Sequence, residues 1–122
     1  MRLLVVEDDA NVAAVLAETF RADGHQAMVE YTGEAALAVI AHDRPDAVIL
    51  DIVLPQIDGI EVLRQIRSSD TALPVIIVSG AGTARQFDEA RRLGVTDIIP
   101  KPVILNHFTE ALTQIAATLR RH

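Results

Sequence analysis

Five short apolar runs recur along the chain, and a stretch with a helical pattern follows each of them. The runs lie at residues 3–6, 27–29, 46–51, 74–78 and 97–100. Each run is long enough for one strand, while the apolar residues between the runs recur three and four positions apart, which is the period of an amphipathic helix. Strands that alternate with helices predict parallel pairing through helical crossovers. The alternation therefore restricts the chain to the α/β class.

The crossover rules also predict the order of the strands. Right-handed connections on both faces of a sheet favour a flavodoxin-like, doubly wound (βα)5 domain with strand order 2-1-3-4-5. Pro100 cannot donate to a strand ladder, so we expect the fifth strand at an edge of the sheet. With 122 residues the chain is the size of one domain, which we place over residues 1–122 with no effector domain.

The last helical stretch carries an apolar stripe that has two possible uses. Its members are Leu105, Phe108, Leu112, Ile115 and Leu119. Such a stripe could form the seam of a coiled coil, but this one lasts barely two heptads. We therefore expect it to pack on the sheet.

The composition argues against several classes of function. Cysteine is absent, which leaves no disulfide, no thiolate metal site and no cysteine nucleophile. The formal net charge of -6 argues against direct binding of nucleic acid. The apolar runs are far shorter than the roughly 20 residues of a membrane span, and the N-terminus lacks a signal-peptide cleavage region. We expect a cytoplasmic protein without membrane insertion.

Acidic residues stand at two strand ends that the predicted strand order brings together. Glu7, Asp8 and Asp9 follow the first strand, and Asp51 ends the third. Carboxylates in one crevice repel each other unless protons or a cation neutralise them. Oxygen ligands select a hard cation, so we expect Mg²⁺, with Mn²⁺ as a substitute. Either Asp8 or Asp9 can instead cap the first helix.

The fourth and fifth strands also end at this edge of the sheet, and a polar residue follows each of them. The fourth is followed by Ser79, although a serine after a strand is often only a turn residue. The fifth is followed by Lys101, the only lysine beside ten arginines, which suggests a place that needs a compact charge. Together, a metal, an ammonium, a hydroxyl and carboxylates suit a phosphoryl group. The cations neutralise its oxygens, the hydroxyl donates to one of them, and a carboxylate attacks.

This ordered set of motifs resembles the receiver domains of two-component response regulators over essentially the whole chain. The matching residues are Glu7-Asp8, Asp51, Leu54-Pro55, Asp58-Gly59, Ser79 and Lys101-Pro102. The resemblance implies that Asp51 accepts a phosphoryl group from the phosphohistidine of a sensor histidine kinase, from a phosphotransfer protein or from a small acyl phosphate. Such a domain is not an enzyme in the ordinary sense, although it catalyses its own phosphorylation and slow autodephosphorylation.

The same resemblance implies a role for each site residue. Asp8 and Asp51 would bind Mg²⁺ directly, together with the main-chain carbonyl of Val53. Glu7 would act through water, and Asp9 would cap the first helix. Lys101 would contact the phosphoryl group, and Ser79 would move to hydrogen-bond it. We also expect the peptide bond between Lys101 and Pro102 to be cis.

One position departs from the family pattern. Receivers usually carry Tyr or Phe three residues before the lysine, and this chain has Ile98 there. In the family that ring swings inward with the hydroxyl residue and reports phosphorylation to the outer face. We assign Ser79 and Ile98 as the switch pair. We expect an altered change on the face of the fourth helix, fifth strand and fifth helix, where an output protein or a second copy would bind.

Three other interpretations are open, and each makes a different demand on the sequence. A pseudo-receiver that acts only as a protein-interaction module would usually lack Asp51, one of the acids or Lys101, and all are present. A phosphohydrolase with an aspartyl nucleophile usually has an acid where Val53 stands, and a cap region in addition. A flavin carrier needs phosphate-binding donors after the first strand, where residues 7–9 would repel phosphate.

Overall fold

A five-stranded parallel sheet lies between two layers of helices. The structure, a computed structural model, describes residues 1–101 and 105–120, with the backbone alone for 105–107. The elements are β1 (Arg2–Val6), α1 (Ala10–Ala22), β2 (Gln26–Glu30), α2 (Gly33–His42), β3 (Ala47–Asp51), α3 (Gly59–Ser69), β4 (Val75–Ser79), α4 (Ala84–Leu93), β5 (Asp97–Pro100) and α5 (Leu105–Arg120). The strand order β2-β1-β3-β4-β5 confirms the prediction, and β5 lies at an edge. The peptide bond predicted to be cis involves residue 102 and lies outside the described residues.

Alternate side chains of the central strands enter two separate apolar clusters. Leu3 and Val5 of β1 belong to the cluster that α1 and α5 cover, whereas Leu4 and Val6 belong to the one that α2, α3 and α4 cover. Every residue of β3 and β4 is buried. Burial on both faces is the reason that these strands appear in the sequence as continuous apolar runs.

The apolar stripe of α5 packs on the sheet, as predicted. Phe108, Leu112 and Ile115 are buried in the cluster shared with α1. The Phe108 ring meets Phe20 of α1 edge-to-face, with centroids 5.2 Å apart. Leu119, at the end of the stripe, is partly exposed. The side chain of Leu105 lies outside the described part of the helix.

Side-chain caps fix the starts of the helices that leave the carboxyl edge of the sheet. Asp9 accepts hydrogen bonds from the Asn11 and Val12 amides, which confirms Asp9 as the cap of α1. Asp58 caps α3 in the same manner. These caps end the loops after β1 and β3 at definite points, so the acidic residues of both loops have definite positions. In the described ranges, no helix is long and apolar enough to cross a membrane.

Candidate functional site

The candidate site lies at the carboxyl edge of the sheet, where β1, β3 and β5 end. Glu7 directly follows β1, Asp51 is the last residue of β3, and Lys101 directly follows β5. Because Val6 pairs with Leu50 in the β1–β3 ladder, Glu7 and Asp51 leave neighbouring strands at the same level. The structure thus brings the ends of the first and third strands together, as predicted from the strand order.

Lys101 joins the two buried carboxylates. Its Nζ donates to Asp51 Oδ2 at 3.0 Å and also to Glu7 Oε1. Glu7 is only 2% exposed and Asp51 5% exposed, while Lys101 is partly accessible. Charges buried to this degree need partners, and one ammonium shared between two carboxylates supplies them.

The crowding of charge changes the proton affinities at the site. Burial raises the pKa of Glu7 from 4.5 to about 7, and the neighbouring Asp51 carboxylate adds to the rise while Lys101 opposes it. Burial by itself would lower the pKa of Lys101, but its hydrogen bonds to Glu7 and Asp51 outweigh that effect and raise it. The ammonium therefore stays charged at neutral pH, whereas the Glu7 carboxylate is partly protonated there because its pKa is about 7.

Three carboxylates at this edge are placed so that they could hold a metal ion. Oxygens of Glu7, Asp8 and Asp51 lie within 4.8 Å of one another, and Asp8 is the exposed member. An all-oxygen set with one open side fits a hard divalent cation that keeps several of its waters. Asp9 points into the cap of α1 instead.

The loop after β3 orients the Asp51 carboxylate through a backbone hydrogen bond. The Val53 amide donates to Asp51 Oδ1 at 3.1 Å, so each carboxylate oxygen has a partner. Gly59 begins α3 so close to β3 that a Cβ on it would lie 2.1 Å from the Asp51 carbonyl oxygen. Only glycine fits there, and its amide donates to the Ile52 carbonyl at 2.7 Å. The Asp58-Gly59 pair therefore caps α3 and sets its distance from Asp51.

Ser79 ends β4 beside Lys101 and is buried. The Lys101 amide donates to the Ser79 carbonyl at 3.0 Å, which is the hydrogen bond that ends the β4–β5 ladder at the Ser79–Pro100 pair. The Ser79 hydroxyl accepts a hydrogen bond from the Ala81 amide at 3.3 Å. In the described part of the chain, this hydroxyl forms no hydrogen bond with Asp51 or Lys101.

Ile98 lies apart from the charged cluster. It is half-buried in β5 and packs against the apolar cluster beneath α2, α3 and α4. Its neighbour in β4 is Ile77, two residues before Ser79. The site thus contains the Glu7, Asp8 and Asp51 carboxylates, with Lys101 bound to Glu7 and Asp51, Ser79 adjacent to Lys101 and Ile98 outside.

Comparison with known proteins agrees with this geometry. A sequence model described as "Response regulator receiver domain" matches residues 3–113. The chain belongs to this family. It is a receiver domain of the kind found in response regulators of two-component signal transduction.

Curated relatives of this receiver domain include response regulators of mycobacteria. The chain is 37% identical over 121 residues to the response regulator MprA of Mycobacterium avium, covering 99% of the chain and 52% of that protein. It is 36% identical to the protein of the same name from Mycobacterium leprae, with the same two coverages. The chain spans about half the length of the curated relatives it matches.

Solved structures of other receivers have the same fold. A response regulator receiver protein from Pseudomonas putida superposes with a TM-score of 0.88 at 29% identity, covering 93% of this chain and 95% of that one. The BeF3-activated receiver domain of RstA from Klebsiella pneumoniae gives 0.85 at 27% identity, with coverages of 93% and 97%. The predicted fold class is therefore confirmed.

Two features of the receiver site were not predicted from the sequence. The direct contact between Glu7 and Lys101 was missed, because residues 94 positions apart meet only through the exact pairing of β1, β3, β4 and β5. The close approach of Gly59 to Asp51 was also missed. The available signal was a glycine directly after the capping aspartate. Glycine is unfavourable in a helix, so its presence there suggests that a larger residue would not fit.

Proposed function

We propose that Asp51 is the phosphoacceptor of this receiver domain. The observation that carries the proposal is the meeting of Asp51 with Lys101 and two further carboxylates at the carboxyl edge of the sheet. A buried nucleophilic carboxylate next to a fixed ammonium suits attack on a group that carries negative oxygens.

The proposed reaction is the transfer of a phosphoryl group to the Asp51 carboxylate. A carboxylate oxygen of Asp51 attacks the phosphorus of a phosphohistidine, and the phosphorus–nitrogen bond breaks. The imidazole leaves with the bonding electron pair and takes a proton from solvent, so Asp51 becomes an acyl phosphate. Lys101 already lies 3.0 Å from Asp51 and then pairs with the new phosphoryl oxygens. Later attack by water on the phosphorus breaks its bond to the Asp51 oxygen, releases inorganic phosphate and restores the carboxylate in a slow autodephosphorylation.

A divalent cation completes the proposed site. Asp8 and Asp51 would bind it directly, the Val53 carbonyl would add a third ligand, and Glu7 would act through water. When bound, Mg²⁺, or Mn²⁺ in its place, neutralises phosphoryl oxygens and so supplies the electrostatic part of catalysis. The cluster of three acids at the strand ends supports this assignment.

The proposed partners follow from the chemistry and from the family. A sensor histidine kinase or a phosphotransfer protein would donate the phosphoryl group. An output protein, an output domain or a second copy of the chain would read the phosphorylated state on the face of α4, β5 and α5. We propose a cytoplasmic location without membrane insertion and no direct contact with nucleic acid, in keeping with the net charge of -6.

Incubation with acetyl phosphate and Mg²⁺, followed by intact-mass measurement, tests the acceptor. We expect the wild type to gain one phosphoryl group that hydroxylamine removes, and Asp51→Asn to gain none. Asp58→Asn is the matched control, because asparagine caps a helix as well as aspartate does and Asp58 lies outside the acid cluster. Full incorporation in Asp51→Asn would refute the assignment. No incorporation in the wild type would favour a pseudo-receiver.

A pair of neighbouring acids tests the metal. Asp8→Ala should lose most Mg²⁺ binding with little change in stability, because Asp8 is exposed and belongs to the cluster. Asp9→Ala should keep Mg²⁺ binding but lose about 1 kcal/mol of unfolding free energy with the cap of α1. Calorimetric titration and urea unfolding measure the two effects. Equal loss of binding in both variants would contradict the assignment.

A further inference from the structure

Phe87 of α4 has an unusual position among the aromatic side chains. Phe20 and Phe108 contact each other edge-to-face in the cluster beneath α1 and α5. Tyr31, after β2, is about half exposed and belongs to neither cluster. In the described part of the chain, Phe87 is the one aromatic ring packed against the cluster beneath α2, α3 and α4, and Ile98 packs against the same cluster.

Because Gly82 has no side chain, the Phe87 ring can lie close to Ser79. A Cβ placed on Gly82 would lie 2.6 Å from Phe87 Cζ and 3.0 Å from the Ser79 Oγ. Side-chain carbons do not approach other atoms so closely, so the ring occupies space that any side chain at position 82 would need. The ring edge and the hydroxyl therefore border the same small space, and glycine keeps it open.

The loop between Ser79 and Gly82 also touches the charged site. A Cβ on Gly80 would lie 3.4 Å from Lys101 Cβ, so the aliphatic stem of Lys101 runs along this part of the loop. The Ser79 hydroxyl accepts the Ala81 amide at 3.3 Å, which is long for a hydrogen bond of this type. Ser79 can exchange this weak contact for a stronger one at low cost.

The ring is coupled to the start of α4. Thr83 accepts the Gln86 amide, and the Gln86 side chain accepts the Thr83 amide, which forms a capping box. The Phe87 amide donates to the Thr83 carbonyl at 3.0 Å. Phe87 therefore lies in the first turn of a helix whose start is fixed to the loop that carries Ser79.

We propose that Phe87, rather than residue 98, reports the state of Ser79 to the surface of this domain. The proposal rests on the function proposed above for Asp51. When the Ser79 hydroxyl turns to donate to a phosphoryl oxygen, it leaves the space beside Gly82. The Phe87 ring then moves into that space, and the outer surface of α4 changes for any partner that binds there.

Fluorine NMR with 2-fluorophenylalanine placed at position 87 alone tests the proposal, because its fluorine lies away from Cζ, the ring atom nearest Gly82. Beryllofluoride and Mg²⁺ serve as the phosphoryl mimic. The fluorine signal should shift with the same midpoint as the amide signals of Asp51 and Ser79. Ser79→Ala should bind the mimic more weakly, so beryllofluoride is raised until the Asp51 amide shift saturates, and at saturation the fluorine shift should still be lost. A fluorine signal that stays still while those amides move, or one that moves equally in Ser79→Ala, would overturn the proposal.

Two alanine variants of the loop separate contact with Phe87 from a general effect. Gly82→Ala puts a methyl group into the space of the ring and should at least halve the fluorine response. Gly80→Ala adds the same methyl group at an ordinary contact distance from Lys101, so its response should match the wild type. Equal responses in the two variants would count against the proposal. A domain that binds no beryllofluoride and gains no phosphoryl group would refute the function of Asp51 as well, which distinguishes the two failures.

Discussion

At the scale of single residues, the most strained backbone position lies in the loop that supports Asp51. Gln56 has φ of 68°, and in the described chain it is the one residue other than glycine with positive φ. The left-handed conformation costs an L-residue roughly 1–2 kcal/mol. The turn after Pro55 thus stores strain within a few residues of the acceptor, where it helps to fix the course of the chain from β3 to α3.

We expect Gln56→Gly to stabilise the domain. Glycine adopts positive φ without steric cost, and the gain should exceed the added entropy of the unfolded chain by about 0.5–1 kcal/mol. Urea unfolding measures the change. Gln65→Gly makes the same exchange inside α3, where it should destabilise by about 1 kcal/mol. Destabilisation by both variants would show that Gln56 carries no strain.

The positions of residues at strand ends could be predicted from the sequence. The roles of residues that depend on how closely two elements pack could not. Asp51 and Lys101 were predicted at the site because a strand end fixes the level of a residue in a parallel sheet. The positive φ of Gln56 and the reason for Gly59 depend on how closely α3 packs against β3, which is a distance between elements. The periodicity of a sequence predicts helices and strands, but it does not directly predict how closely two of them pack.

At the scale of elements, Arg67 ties the end of α3 to the end of α4. Its guanidinium donates to the Leu93 carbonyl at 3.0 Å, to the Gly94 carbonyl at 2.8 Å and to the Asp70 carbonyl at 3.0 Å. These are carbonyls at helix ends, where partners within the helix are missing and positive charge is favourable. The C-terminal end of α4 is therefore anchored to the end of α3.

Arg67→Met should remove this anchor and keep the aliphatic stem. We expect the free energy of unfolding to fall by about 2 kcal/mol, since hydrogen bonds from a charged donor are lost and their carbonyls are left without it. Arg91→Met is the control. Arg91 pairs with Asp88 on the open face of α4, both mostly exposed, and its loss should cost no more than about 0.5 kcal/mol. Equal costs in urea titrations would contradict the anchoring role.

The first and last residues of most strands were predicted to within about one residue. β3 begins at Ala47 rather than at Asp46, and β4 ends at Ser79 rather than at residue 78. The second shift has a consequence, because Ser79 then pairs with Pro100 as part of the ladder. The sequence pattern could not show this, since Ser79 is polar and apolar periodicity ends before it.

At the scale of the whole molecule, the site joins strands that are distant in the chain. Lys101 after β5 contacts Glu7 after β1 and Asp51 at the end of β3, so one ammonium links three of the five strands. Without a cation this lysine is the positive group that holds the acids together. The stability of the entire sheet should therefore respond to the protonation of the site and to metal binding.

The pH dependence of stability without metal follows from Glu7. Its pKa is raised to about 7 in the folded protein, from an ordinary value of 4.5, so the folded state holds a proton that the unfolded state has lost between those values. The free energy of unfolding should fall as pH rises from about 4.5 to about 7 and level off above that. Urea titrations over this range, with a chelator present, measure the slope.

Glu7→Gln and Mg²⁺ are the two controls for this slope. Glutamine cannot titrate, so the variant should lose the part of the slope that Glu7 causes and should be more stable than the wild type near pH 8. Saturating Mg²⁺ should flatten the wild-type slope as well, because a bound cation favours ionised carboxylates and so lowers the pKa of Glu7 in the folded state. An unchanged slope in Glu7→Gln would mean that another group takes up the proton. An unchanged slope with Mg²⁺ would mean that the cation binds away from Glu7, and the acid cluster would then need a different role.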